Sequence, residues 1–137
     1  MTDRNKKCEE IVNGSLESTI EDIRILWEAY CEGEEDVEDL GNIYEYGLSF
    51  DYVEAGTFND QEEGYFRYQL SWGGPSTEFR FFTDAARHVY KIEYWHLDWF
   101  DGAKRVLSGE DKTLMLEIFN WFDECGAVEH VFEEATM

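Results

Sequence analysis

Residues 44–52 read Y-E-Y-G-L-S-F-D-Y. Tyr44, Tyr46, Leu48, Phe50 and Tyr52 alternate with Glu45, Gly47, Ser49 and Asp51. Successive side chains of an extended chain point to opposite sides, so this alternation predicts a strand with one buried face. The pattern recurs downstream, where Phe66, Tyr68, Leu70 and Trp72 alternate with Arg67, Gln69 and Ser71. Gly73, Gly74 and Pro75 then predict a turn, residues 78–83 a third strand and residues 89–99 a fourth. The short connections favour an antiparallel meander over parallel pairing.

Helical spacing flanks these strands. Ser18 and Glu21 have capping-box spacing, and Ile20, Ile23, Leu26, Trp27 and Tyr30 follow as a stripe that Gly33 ends. Residues 1–14 read as a frayed lead-in or a short turn through Ile11 and Val12, and a second short helix is expected over 35–44. Near the C-terminus, Ser108 and Asp111 repeat the capping spacing. Leu114, Ile118, Trp121, Phe122 and Cys125 then share a face, and Gly126 suits the C′ position. The expected fold is α+β: a single antiparallel sheet of about four strands with helices packed mainly on one face. The 137 residues make one domain.

Charge is the second constraint. Asp and Glu outnumber Lys and Arg by 32 to 11, a formal charge of −21. From Glu28 to Glu63 there is no Lys or Arg among thirteen acids, yet Tyr30, Val37, Leu40, Ile43 and the aromatics of 44–52 are threaded between them. A disordered acidic tail lacks such residues, because it cannot offset the entropy of ordering. The stretch therefore predicts folded structure with a dense negative surface. Self-repulsion on this scale keeps a protein away from other anions. Free nucleic acid and anionic membranes are thereby disfavoured as ligands, and a basic protein surface is favoured.

Several chemistries are excluded or weakened by spacing. Cys8, Cys31 and Cys125 give neither a disulfide framework nor a zinc pattern. The first residues are polar and no apolar run approaches a membrane span, so a cytoplasmic location is the plain expectation. Asn59, Asp60, Glu62 and Gly64 depart from the fixed ligand positions of a calcium loop. S-W-G-G-P-S (71–76) lacks the lysine of a phosphate loop. Tyr94, His96 and Asp98 share a strand face with Asp101 just beyond, which offers a small metal-dependent enzyme as an alternative. A structural His96, hydrogen-bonded within an aromatic sheet, is the simpler reading. No cofactor, dedicated metal or catalytic residue is expected.

The segments S-W-G-G-P-S-T-E-F-R-F-F (71–82) and E-Y-W-H-L-D-W-F-D-G-A (93–103) resemble small acidic proteins carried on bacterial plasmids and conjugative elements. The resemblance covers roughly residues 44–125 and brings no catalytic residues with it. In size and charge the chain is also similar in type to antirestriction and anti-CRISPR proteins that imitate DNA. That likeness implies an inhibitor whose partner is a basic nucleic-acid-binding protein, such as a defence nuclease complex, and which does not itself bind nucleic acid.

On this reading Glu32, Glu34, Glu35, Asp36, Glu38 and Asp39 form the main negative ridge. Glu54, Asp60, Glu62 and Glu63 extend it, and Asp123, Glu124, Glu133 and Glu134 make a second patch. An acidic adaptor, a salt-adapted surface and an ordinary solvated face share the same composition. The sequence leaves a homodimer open.

Overall fold

The computed structural model describes residues 3–34, 36–58, 61–71, 76–98 and 101–136. Five strands form one antiparallel meander in the order β1-β2-β3-β4-β5: β1 Ser49–Val53, β2 Tyr65–Ser71, β3 Ser76–Thr83, β4 Val89–Asp98 and β5 Asp101–Val106. The four helices are α1 Asp3–Cys31, α2 Ile43–Tyr46, α3 Gly109–Glu124 and α4 Ala127–Thr136. The α+β class and the single antiparallel sheet are therefore as expected, with β5 as an additional strand. Trp72, Trp99 and the expected turn at 73–75 lie outside the described residues.

Register explains why the helices take one face of the sheet. Phe66 pairs with Phe81, Phe81 with Ile92, Tyr68 with Phe79, and Phe79 with Tyr94. Directly opposed residues project to the same side, so these five rings and Ile92 form one continuous apolar surface. The helical layer is built on it. Phe119 of α3 lies 5.5 Å from Phe66 and 5.0 Å from Phe81 between ring centroids. Phe122 meets Phe50 at 4.5 Å, and Phe132 of α4 meets Tyr52 at 4.9 Å.

Three expectations are corrected. First, the leading helix does not start near Ser18, nor is the chain frayed up to residue 14. α1 already runs from Asp3, with Cys8, Val12, Ile20, Ile23 and Leu26 all buried. Spacings of three or four keep them, with half-buried Leu16, on one stripe. Ser15 and Thr19 lie on that side too, where their hydroxyls meet the buried Tyr94 hydroxyl at 2.6 and 3.3 Å. Ser18 is thus a mid-helix residue.

Second, the helix expected over 35–44 is a single turn, Ile43–Tyr46, capped by Asn42, whose side chain accepts from the Glu45 N–H at 3.0 Å. Before it, Val37 and Gly41 exchange backbone hydrogen bonds of 2.7 and 2.9 Å across a tight turn. Third, β1 begins at Ser49 and not at Tyr44, and both Tyr44 and Leu48 are exposed. The alternation breaks because Gly47 lies against the Tyr68 ring: a Cβ there would come within 2.2 Å of Tyr68 Cε1. Burial raises the Tyr68 phenol well above its usual pKa, outweighing its hydrogen bond to the Gly47 backbone.

The C-terminal expectations divide. α3 starts after Ser108 as expected, but the Ser108 side chain makes no capping hydrogen bond. Gly126, at φ +84°, sits just past Cys125 where the sequence placed it. It leads into α4, unforeseen, which anchors Val128 in the core. Cys125 is exposed, not on the inward face, while Cys8 is buried and Cys31 exposed, and none of the three is in a disulfide.

Candidate functional site

The two sides of the molecule differ in how charge is arranged. On the open face of the sheet each cation is matched. Arg67 donates two hydrogen bonds to Asp51, at 3.0 and 2.7 Å. Arg80 donates to buried Glu78 at 2.7 Å and lies 4.0 Å over Trp95 and 4.7 Å over Tyr65. Buried Glu93 accepts from Lys104 at 3.3 Å and from the Trp95 indole at 2.9 Å, with Lys91 3.7 Å away. The cations beside Glu78 and Glu93 offset what burial of those carboxylates costs in lost water. A cleft of about 400 Å³ opens along this face.

The helical layer carries the excess charge. Beyond the first turns of α1, its described basic side chains are Arg24 and Lys112. Arg24 is engaged, 3.6 Å from Asp111. Contacts run in step along the two helices: Arg24 with Asp111, Trp27 with Glu117, and Tyr30 with Trp121. α1 and α3 are therefore side by side and parallel, with both C-termini at one end of the molecule. Parallel macrodipoles each place roughly half a negative charge there.

At that same end the side chains are acidic. The last turn of α1 holds Glu28 and that of α3 holds Asp123 and Glu124, with no basic residue in either turn. α1 closes in a Schellman motif: Glu34 N–H donates to Ala29 O at 2.8 Å, Gly33 N–H donates to Tyr30 O at 3.1 Å, and Gly33 has φ +89°. This fixes Glu32 and Glu34 in place. The bridged turn that follows exposes Asp36, Glu38 and Asp39, with Asp36 accepting from Asn42 Nδ2 at 3.2 Å.

Asp39 has φ +70°, a left-handed conformation that glycine adopts at less cost. Asp39→Gly is therefore expected to stabilise the protein by about 1 kcal/mol. Thermal unfolding would show this as a rise of about 3–5 °C in Tm.

The residues proposed from sequence thus separate into three places. Glu32, Glu34, Asp36, Glu38, Asp39, Asp123 and Glu124 gather at the common C-terminal end of α1 and α3. Glu133 and Glu134 end α4, where neighbouring Ala135 lines a crevice with Glu54, and Glu134 lies 3.4 Å from His130. Glu62 and Glu63 line the open-face cleft, where Glu63 accepts from the Tyr90 hydroxyl and lies 3.9 Å from Lys91. Glu35 and Asp60 lie outside the described residues.

Glu28, Glu45 and Glu117, acids that the sequence reading counted but left out of the binding surface, are exposed around the first of these places. Glu117 carried a usable signal, since it stands four residues before Trp121 and seven before Glu124 on one side of α3.

The alternative centre is less assembled. His96 is buried, its Nδ1 has no hydrogen-bond partner, and a buried oxygen of Asp101 also lacks one. Asp98 and Asp101 face each other across the β4–β5 pair. Among the described residues no group of three or more His, Cys, Asp or Glu side chains converges as a metal site, and no helix is long and apolar enough to cross a membrane. Compared with family models, curated proteins and solved structures, the chain shows no match.

Proposed function

We propose that this protein is a non-enzymatic nucleic-acid mimic that occupies the basic nucleic-acid channel of a host defence nuclease, in the manner of an antirestriction or anti-CRISPR inhibitor. The observation that carries the reading is the placement of carboxylates at the C-terminal ends of two parallel helices, without basic residues in those turns. An acid at a helix C-terminus costs about 0.3–1 kcal/mol of stability. An indifferent solvated surface would scatter its acids or favour helix N-termini. Local rules broken without a structural return are characteristic of binding surfaces.

Duplex DNA presents about one phosphate per 1.7 Å of axis, and its readers line their grooves with Lys and Arg. Carboxylates held by a Schellman turn, a bridged turn and two helices offer such a groove a pre-ordered anionic array, so little ordering entropy is lost on binding. The partner's counterions are released as they would be by DNA.

The test is capture of basic nucleic-acid-binding proteins at 50 and 500 mM salt, with duplex DNA or RNA as competitor. The expected result is at least about tenfold weaker capture at high salt and displacement by nucleic acid. Capture that nucleic acid does not displace would instead mark an acidic adaptor, and capture indifferent to salt would remove the electrostatic basis altogether.

A further inference from the structure

Between the C-terminal halves of α1 and α3 lies a groove of about 330 Å³ lined by Trp27, Tyr30, Glu117, Asn120, Trp121 and Glu124. Its aromatic walls are in mutual contact. Trp27 stacks on Tyr30 at 5.5 Å, Trp121 meets Trp27 at 5.5 Å and Tyr30 at 5.2 Å, and exposed Tyr44 closes on Tyr30 and Trp121 at 5.4 and 5.3 Å. A second groove of about 220 Å³ lies on the Tyr44 side of Trp121. The Trp27 indole donates to Glu117 Oε1 at 3.1 Å and so orients one carboxylate on this surface.

We propose that this groove receives an arginine side chain of the basic partner. The inference rests on the proposed function and names the contact that would anchor it. On the open sheet face, rings of this kind already hold the chain's own cations: Arg80 over Trp95 and Tyr65, Lys91 over Phe82. Among the described residues, none of the chain's own Lys or Arg lies over the rings of the α1–α3 groove, and neighbouring Arg24 is directed to Asp111. The complementary charge must come from outside.

A guanidinium fits better than an ammonium. It is planar, it stacks on indole and phenol faces, and its fork of N–H donors suits bidentate pairing with a carboxylate such as that of Glu124, which lines the groove beside Trp121. An arginine that stacks on a base and pairs with the flanking phosphate in nucleic acid would find here a ring and a carboxylate in the same roles.

The experiment compares deca-arginine and deca-lysine peptides at 20 mM salt, following affinity by calorimetry and the indole N–H signals of Trp27 and Trp121 by NMR. Deca-arginine is expected to bind about fivefold to tenfold more tightly and to shift both signals. In Glu124→Gln, an exposed change that spares the core, that preference should shrink to about twofold or less. Equal affinities, or an arginine preference with both indoles unmoved, would overturn the groove assignment while leaving the acidic surface intact. Failure of both peptides to bind would overturn the mimic reading as well.

Discussion

Replacing Glu32, Glu34, Glu38 and Asp39 together by lysine is expected to abolish measurable binding to the basic partner while the protein stays folded. All four side chains are exposed, and they lie after the last turn of α1 or in the bridged turn beyond it. An exposed ion pair contributes about 0.2–1 kcal/mol, and reversal turns each attraction into a repulsion of similar size. Four reversals therefore remove on the order of 4 kcal/mol or more, about 10³-fold in affinity at low salt.

The fold should tolerate this, because each lysine introduces a favourable charge near the negative end of α1 and eases self-repulsion in a chain of charge −21. Far-ultraviolet circular dichroism would be unchanged, and Tm would stay within a few degrees, because the strain of a lysine at the φ of +70° held by Asp39 offsets part of the charge relief. Four lysines at Glu9, Glu10, Glu17 and Glu110, also exposed, provide the matched control: they alter net charge equally but lie on the first half of α1 and the first turn of α3, away from the common end of those helices. If both sets weakened binding to the same extent, net charge and not a defined surface would govern association, and the mimic geometry would be refuted.

The sheet was legible in sequence because alternation survives wherever one face is buried. Phe66/Tyr68 and Phe79/Phe81 face the helices, while Arg67 and Arg80 face the other way and are paired there with acids. β5 was not legible, since D-G-A-K-R-V offers only Ala103 as a buried apolar residue. The first half of α1 was obscured for a different reason. Cys8, Val12 and Leu16 keep helical spacing, but Gly14 and Ser15 interrupt the run, and Ser18 with Glu21 imitates a helix start. α4 was hidden by its acids, although Val128, Val131 and Phe132 have the spacing of one helical face.

At the candidate site the acids could be read singly, residue by residue. Their assembly could not, because it depends on α1 and α3 running parallel with a five-strand meander between them in sequence. Local spacing carries no information about that relation. The aromatic groove is hidden for the same reason, being shared by residues ninety positions apart such as Trp27 and Glu117.

That dependence on tertiary assembly makes Phe119 the residue on which the surface mechanically rests. Its ring is 2% exposed and touches Phe50, Phe66 and Phe81, so it joins α3 to β1, β2 and β3 at once. Phe119→Ala is expected to cost about 3–5 kcal/mol, the transfer free energy of the ring plus the cavity left behind. Domains of this kind have about 5–15 kcal/mol in total, so the variant would be close to unfolding at 37 °C.

Phe119→Leu, which keeps most of the apolar volume, should cost under about 1.5–2 kcal/mol. Truncating the half-exposed Phe58 to alanine should cost under about 1 kcal/mol. Urea unfolding gives the three values directly, with a common slope expected if all unfold in one step. Partner binding by Phe119→Ala should fall more than its folded fraction explains, since loosening α3 moves Glu117, Trp121 and Glu124 relative to α1. Binding that tracked the folded fraction alone would mean that the α1 turn acts without α3, and the shared end of the two helices would lose its role.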